Sequence, residues 1–132
     1  MGDALALLEL DSVAGGLSAL DTLVKRAPVT VLEANLVEPG KFLVLFSGGV
    51  AEVTECHTVV VDGYGDQVLS QMLLPMVHPA LVDGLRGVEV RDPPDTLGVV
   101  EGTDIAGTLH AADRALKDAD VRLCGFRLAI GL

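Results

Sequence analysis

The stretch LGVVEGTDIAGTLHAADRALKDADVRLCGFRLAIGL, residues 97–132, repeats an earlier part of the chain. Shifted by 92 positions, it aligns without a gap with residues 5–40, LALLELDSVAGGLSALDTLVKRAPVTVLEANLVEPG. Eleven aligned residues are identical. The identical charged pairs are Glu9 with Glu101, Asp21 with Asp113, and Lys25 with Lys117. Because self-similarity at a fixed spacing indicates repeated structural units, the sequence predicts one folding unit in two tandem copies.

The first copy predicts strands and helices in the order β-α-β-β-α-β. The apolar run 5–10 is too short for a helix and predicts a buried strand. Ser12 offers an N-cap for a first helix, which ends before Pro28. The further predicted elements are a strand at 29–36, a turn at 38–41, a strand at 42–46, a helix at 50–62, a strand at 68–76 and a short helix at 79–85. This order is that of an α+β, ferredoxin-like unit.

A pair of glycines lies inside the first predicted helix. Gly15 and Gly16 lower the helix propensity of this segment relative to alanine. We therefore expect a close packing contact there that has no room for a side chain.

The second copy contains only the first half of the unit. It predicts a strand at 97–101, a helix whose apolar stripe begins at Ile105, and a strand at 121–128. In a ferredoxin-like sheet, strand three lies between strands one and two, so a β-α-β half leaves unpaired backbone groups. Two explanations remain: the sequence is part of a longer protein, or a strand from another chain fills the gap. The predicted division is a complete domain at 1–87, a linker at 88–95 and a partial second domain at 96–132.

Composition excludes several classes of partner. The chain has 19 acidic residues against 9 Lys and Arg, a net charge of −10. This charge argues against nucleic acid, whose binding relies on neutralising phosphates, and against anionic membranes. No apolar run approaches the roughly 20 residues of a membrane span, and the N-terminus lacks a secretory signal pattern. Cys56 and Cys124 are interpreted as reduced thiols of a cytosolic protein that pack as small apolar residues.

No pattern of residues predicts catalysis. His57, His78 and His110 are far apart in sequence and follow no nucleophile motif. Cys and His do not occur in the paired clusters that hold metals. The segment 47–49 opens a helix and could hold an anion at its N–H groups, or it could be a plain helix entry. The sequence therefore predicts no enzyme, no catalytic residue, no metal and no cofactor.

Several stretches resemble the bacterial microcompartment shell domain. They are Leu7-Leu8-Glu9, the helix Val13-Ala14-Gly15 to Asp21 with its continuation at 24–29, the turn Glu38-Pro39-Gly40-Lys41, the helix entry at 48–53, and the second copy at 97–121. Two such domains in one chain look like the tandem-domain class of this family, whose trimers form a pseudohexamer.

The resemblance implies a self-assembling structural shell protein of the bacterial cytoplasm. Its homotrimer would tile the shell facet with other shell proteins, and metabolites would cross a central pore. A complementary fragment could supply the missing half of the second domain. The implied pore-lining residues are Glu38, Pro39, Gly40, Lys41, Ala129, Ile130, Gly131 and Leu132. Lys25 and Lys117 match the lysine that packs along tile edges.

The chain also departs from the family's pattern. Where the family often has Pro-Arg-Pro-His, residues 74–79 read Leu-Pro-Met-Val-His-Pro and lack the arginine. Neither cysteine lies in a pore loop, so no iron–sulfur cluster is expected. The alternative function is a small-molecule-binding regulatory module of ferredoxin-like fold. Sheet formation at high protein concentration would distinguish a shell tile from such a module.

Overall fold

A computed structural model describes residues 3–88, 90, 92 and 95–128. The strands are β1 (Ala4–Leu10), β2 (Thr30–Val37), β3 (Lys41–Gly48) and β4 (Val68–Leu74). The helices are α1 (Val13–Arg26), α2 (Val50–Tyr64), α3 (Pro79–Leu85) and α4 (Ile105–Asp118), and a short 3-10 turn spans Gly65–Gln67.

The four strands form one antiparallel sheet in the order β2-β3-β1-β4. Strand β1 is central and almost wholly buried. It pairs with β3 on one side and β4 on the other, so β3 separates β1 from β2. This is the predicted ferredoxin-like topology, and it confirms the fold class of the first copy.

Both faces of the sheet are covered by helices. Alternate residues of β1 enter two separate cores, because successive side chains of a strand point to opposite faces. Ala6 and Leu8 pack with the buried residues of α1 and α2. Leu5 and Leu7 pack with Leu81 of α3 and Leu109 of α4. The second copy's helix therefore completes a core of the first copy.

Local sequence accounts for the bounds of α1. The Ser12 hydroxyl accepts a hydrogen bond from the Gly15 N–H at 2.9 Å, which caps the helix as predicted. A Cβ on Gly16 would lie 2.3 Å from the Cβ of Phe42 on β3. This confirms the expected close packing, because only glycine lets the helix approach the sheet so closely.

Helix α2 ends two residues later than predicted. The hydroxyl of Tyr64 lies 2.7 Å from Ser18 Oγ and 3.1 Å from Thr22 Oγ1, both on α1. The hydrogen bond with Ser18, and to a smaller extent that with Thr22, lowers the pKa of Tyr64 below its ordinary value. They anchor the last turn of the helix to α1, a contact that the spacing of apolar residues alone does not reveal.

The two predicted strands of the second copy do not form. Helix α4 is present, and its N-cap Asp104 accepts a hydrogen bond from the Gly107 N–H at 3.1 Å. The flanking segments 97–101 and 121–128 have no strand pairing, and Leu97, Val99 and Val100 are exposed. The physical reason is the strand order: these segments would pair through a strand three that the described residues of the second copy do not include.

Candidate assembly surfaces

The predicted pore-loop residues of the first copy form the turn between β2 and β3. Val37 pairs with Lys41, so residues 38–40 form the tip of a hairpin. Gly40 has φ +71°, in the left-handed region that glycine adopts without strain. Glu38, Pro39 and Gly40 are all exposed. The turn is therefore available to line an opening in an assembly.

The charges of this turn are not equivalent. The Lys41 ammonium lies 3.7 Å from the carboxylate of Glu9, which is largely shielded from solvent on β1. Among the described residues, Glu38 has no ion-pair partner. The tip of the turn therefore presents a negative charge, while the positive charge at its base is partly neutralised. The other predicted pore residues, Ala129 to Leu132, lie outside the described residues.

The two predicted edge lysines occupy different environments. Lys25 Nζ lies 2.9 Å from Asp21 Oδ2, and both side chains are exposed on α1. Lys117 Nζ lies 2.8 Å from Asp113 Oδ2, and this carboxylate is buried. Both lysines are thus exposed, but Lys25 pairs with an exposed carboxylate, whereas Lys117 is tied to a buried one where the second copy's helix meets the first copy.

Asp113 is a contact residue to which the sequence assigned no role. One of its oxygens accepts a hydrogen bond from the backbone N–H of His78 at 2.7 Å, at the start of α3. His78 in turn caps that helix, because its Nδ1 accepts from the Ala80 N–H at 3.1 Å. Asp113 therefore joins the second copy's helix to the first copy's α3. The sequence signal that could have identified Asp113 is that it aligns with an identical residue, Asp21, in the first copy of the repeat.

A groove of about 600 Å³ separates the two unpaired segments of the second copy. Its walls include residues 99–103 on one side and 125–128 on the other. In the first copy, Val44 of β3 pairs with Leu8 on β1 and Ala34 on β2. The second-copy equivalents of that flanking pair are Val100 and Phe126, which both line the groove. The groove thus lies where the repeat would place its own strand three.

Two neighbouring side chains of α2 carry groups that could take part in chemistry: Cys56 is buried and His57 is half-buried. The Cys56 thiol donates to the carbonyl of Leu23 at 3.2 Å, and burial raises its pKa, which favours the neutral thiol. Burial lowers the pKa of His57. Its Nε2 is buried and has no hydrogen-bond partner among the described residues. Neither group reaches the other as a nucleophile and base, and both pack as parts of α2.

Two structural features are absent from the described residues. Within residues 3–88, 90, 92 and 95–128, no three His, Cys, Asp or Glu side chains converge as a metal-binding group. In the same part of the chain, no helix has the length and apolar character needed to cross a membrane.

Comparison with known proteins identifies the family. The sequence model described as the BMC domain matches residues 4–77 and 96–132. The chain is 33% identical over 132 residues to bacterial microcompartment shell protein PduT of Citrobacter freundii, covering all of this chain and 72% of that protein. The crystal structure of a microcompartment protein from Desulfitobacterium hafniense matches with a TM-score of 0.83 and 31% identity, covering all of this chain and 73% of that one. The tandem segments and the fold agree, and the chain belongs to the BMC-domain family of bacterial microcompartment shell proteins.

Proposed function

We propose that this protein is a structural tile of a microcompartment shell, assembled as a trimer that forms a pseudohexamer around a central pore. The observation that carries the proposal is that one chain contains two shell-domain segments, at 4–77 and 96–132. Three chains with two such units each supply six units, and closed rings of repeated units are the usual form of soluble oligomers. The proposed division is a complete domain at 1–87, a linker at 88–95 and a partial domain at 96–132.

The hairpin turn at 38–41 is the proposed rim of the pore, together with residues 129–132 of the second copy. Its exposed tip supports this assignment, as does the Glu38 carboxylate, which has no ion-pair partner in the part of the chain that the structure describes. Rings of carboxylates attract cations, and the width and charge of a pore decide what crosses it. Metabolites are the proposed cargo, and three copies of Glu38 would make the rim acidic.

The outer edge of the tile is proposed to include Lys25, with Lys117 as its repeat equivalent. The exposed Lys25 ammonium supports contact with an acidic group or a carbonyl of a neighbouring tile. Other shell proteins are the proposed neighbours, and the shell lies in the bacterial cytoplasm. The chain acts in this proposal as a scaffold and pore, without catalysis.

The half-formed second copy needs a strand to complete its sheet. The groove between residues 99–103 and 125–128 supports a strand of the β3 type as its occupant, because the equivalent residues flank β3 in the first copy. A complementary segment of the shell-domain kind would supply this strand and the elements that follow it.

Native mass spectrometry of the purified particle, with intact mass measurement of each chain, tests the proposed function. We expect particles that contain three copies of this chain. In particles whose second domain is completed by a separate segment, we expect three copies of that segment as well. Electron microscopy at high protein concentration should then show flat sheets when partner shell proteins are added. A stable monomer or dimer that forms no sheets would contradict the tile and favour a small regulatory module.

A further inference from the structure

A shielded carboxylate lies behind the hairpin turn that is proposed to line the pore. Glu9 is next to the last residue of β1, and its side chain is 15% exposed. It shares a face of the sheet with Leu5 and Leu7, because alternate residues of a strand point the same way. Those leucines belong to the core that α3 and α4 cover. A carboxylate so shielded is costly without a counter-charge, so Glu9 needs a cation that stays in place.

Lys41 supplies that cation from the base of the turn. Glu9 lies opposite Leu43 in the antiparallel pair of β1 and β3. Lys41 is two residues before Leu43, so it lies on the same face, diagonally across from Glu9, and long side chains reach across such a diagonal. The Lys41 Nζ lies 3.7 Å from Glu9 Oε1. In the described part of the chain, no other basic side chain is within ion-pair distance of Glu9.

This register changes the charge that the turn presents. The segment 38–41 contains one acid and one base, so its sequence alone is neutral. The Lys41 ammonium, however, lies over β1, whereas Glu38 is at the exposed tip. Glu38 has no ion-pair partner among the described residues. Each chain therefore brings a net negative charge to the proposed rim.

We propose that Glu9 sets the ion selectivity of the pore from outside the pore loop, and that the solutes favoured are small cations. By pairing with Lys41 it withholds the positive charge of the turn, so the Glu38 carboxylates act on passing ions without opposition. Glu9 is a positioning residue, because it acts through Lys41 and does not touch the solute. This inference rests on the proposed pore and names the class of solute that its charge favours.

Reversal potentials of the purified particle in planar bilayers, under a salt gradient, measure the ratio of cation to anion permeability. Glu9→Gln keeps the size of the side chain and removes its charge, which releases Lys41. The ratio should fall at least about threefold, because each freed ammonium then opposes a Glu38 carboxylate at the rim. Glu9→Gln combined with Lys41→Gln removes both charges of the pair and should restore the ratio of the unmodified protein.

The double variant separates an effect of charge from an effect of structure. If Lys41 acted at the rim independently of Glu9, Glu9→Gln alone would leave the ratio unchanged. The double variant would then exceed the unmodified ratio, since the rim would have lost a positive charge. Either result would overturn the proposal. Recovery of the ratio in the double variant supports it, because the ion pair is absent from both variants and only the free charge differs.

Glu55→Gln is the matched control. The Glu55 carboxylate lies 2.8 Å from Arg26, so this change also releases a cation from an ion pair. Arg26 ends α1 shortly before β2 begins, whereas the turn follows the other end of β2. The control should keep the ratio of the unmodified protein. An equal fall in Glu55→Gln and Glu9→Gln would show that any released cation changes the ratio, and the assignment to Glu9 would be wrong.

A thermal melt of each variant establishes that it is folded. If Glu9→Gln alone does not fold, the double variant, which leaves no charge of the pair unpaired, decides the matter: an unmodified ratio is expected, and a higher one contradicts the proposal. Glu38→Lys distinguishes two kinds of failure. A ratio that changes with Glu38→Lys but not with Glu9→Gln contradicts this inference alone. A particle that does not conduct, or whose ratio ignores Glu38→Lys, contradicts the proposed pore rim and this inference with it.

Discussion

At the scale of single residues, Gly16 shows how closely the first helix approaches the sheet. Its missing side chain leaves room for Phe42, whose Cβ would lie 2.3 Å from a Cβ at position 16. Protein interiors have few voids, so such an overlap moves either the helix or the strand. The second copy has Thr108 at the equivalent position, where α4 borders an open groove instead of its own sheet.

Gly16→Ala should therefore destabilise the protein by about 1–3 kcal/mol, because an added methyl overpacks the contact with Phe42. Gly63→Ala is the matched control in α2, where a Cβ meets no atom within 4 Å. That change should stabilise by about 0.4–1 kcal/mol. Urea unfolding followed by circular dichroism measures both, and equal effects of the two substitutions would contradict the assigned contact.

His57 should make the stability depend on pH. Burial lowers the pKa of His57 in the folded protein, whereas the unfolded chain titrates near its ordinary value of about 6.5. Below that pH the unfolded state binds a proton that the folded state resists. Stability from this group is therefore full above about pH 6.5 and falls as the pH drops towards the lowered pKa.

Urea unfolding at pH 7.5 and pH 5.5 checks this prediction. The unmodified protein should lose more unfolding free energy between these pH values than His57→Gln does. His110→Gln, at an exposed histidine of α4, is the control and should behave like the unmodified protein. An equal loss in His57→Gln would show that other groups cause the pH dependence.

At the scale of elements, the repeated helix is the same structure in two settings. Both copies begin with a side-chain cap, at Ser12 and Asp104, and both carry an Asp–Lys pair one turn apart. The surroundings of the pair decide how much it contributes to the stability of the fold. An exposed pair contributes little, since solvent screens it, whereas a buried carboxylate must keep its hydrogen-bond partners.

Asp113→Ala should cost about 1–3 kcal/mol of stability, because it leaves the His78 N–H of α3 without its acceptor. Asp21→Ala removes the equivalent exposed carboxylate and should change the stability of the isolated chain by less than about 1 kcal/mol. Thermal or urea unfolding compares the two. A cost for Asp21→Ala as large as that for Asp113→Ala would contradict the structural difference between the two copies.

At the scale of the whole molecule, the sheet is covered on one face by helices of its own copy. On the other face it is covered by α3 together with the helix of the next copy. One domain thus relies on its neighbour in the chain to complete a core.

In the proposed trimer, Glu38→Lys should lower the preference of the proposed pore for cations over anions. The proposed rim then carries a ring of positive charge in place of carboxylates, and rim charges govern ion entry. Conductance measurements in planar bilayers under a salt gradient give the permeability ratio. Glu38→Asp keeps the charge and should keep the ratio; an unchanged ratio in Glu38→Lys would place the turn away from the pore.

Local patterns were sufficient for most of the first copy. The run at 5–10, the cap at Ser12 and the stop at Pro28 each depend on neighbouring residues, and the structure confirms them. The predicted end of α2 was wrong because Tyr64 is held by hydrogen bonds to Ser18 and Thr22, more than forty positions earlier in the chain. The prediction of two strands in the second copy was wrong because a strand forms only when another strand pairs with it.

The sequence by itself determined the repeat, the order of elements in the first copy and the family, because apolar spacing, caps and turns act over short distances. Only the tertiary structure decided which face of each repeated helix is buried. Residues 14, 17, 21 and 24 and their equivalents 92 positions later are alike in sequence, yet one set is exposed and the other is buried. The reason is that burial depends on the neighbouring surface: α4 lies against β4 and α3 of the first copy, and α1 lies against its own sheet.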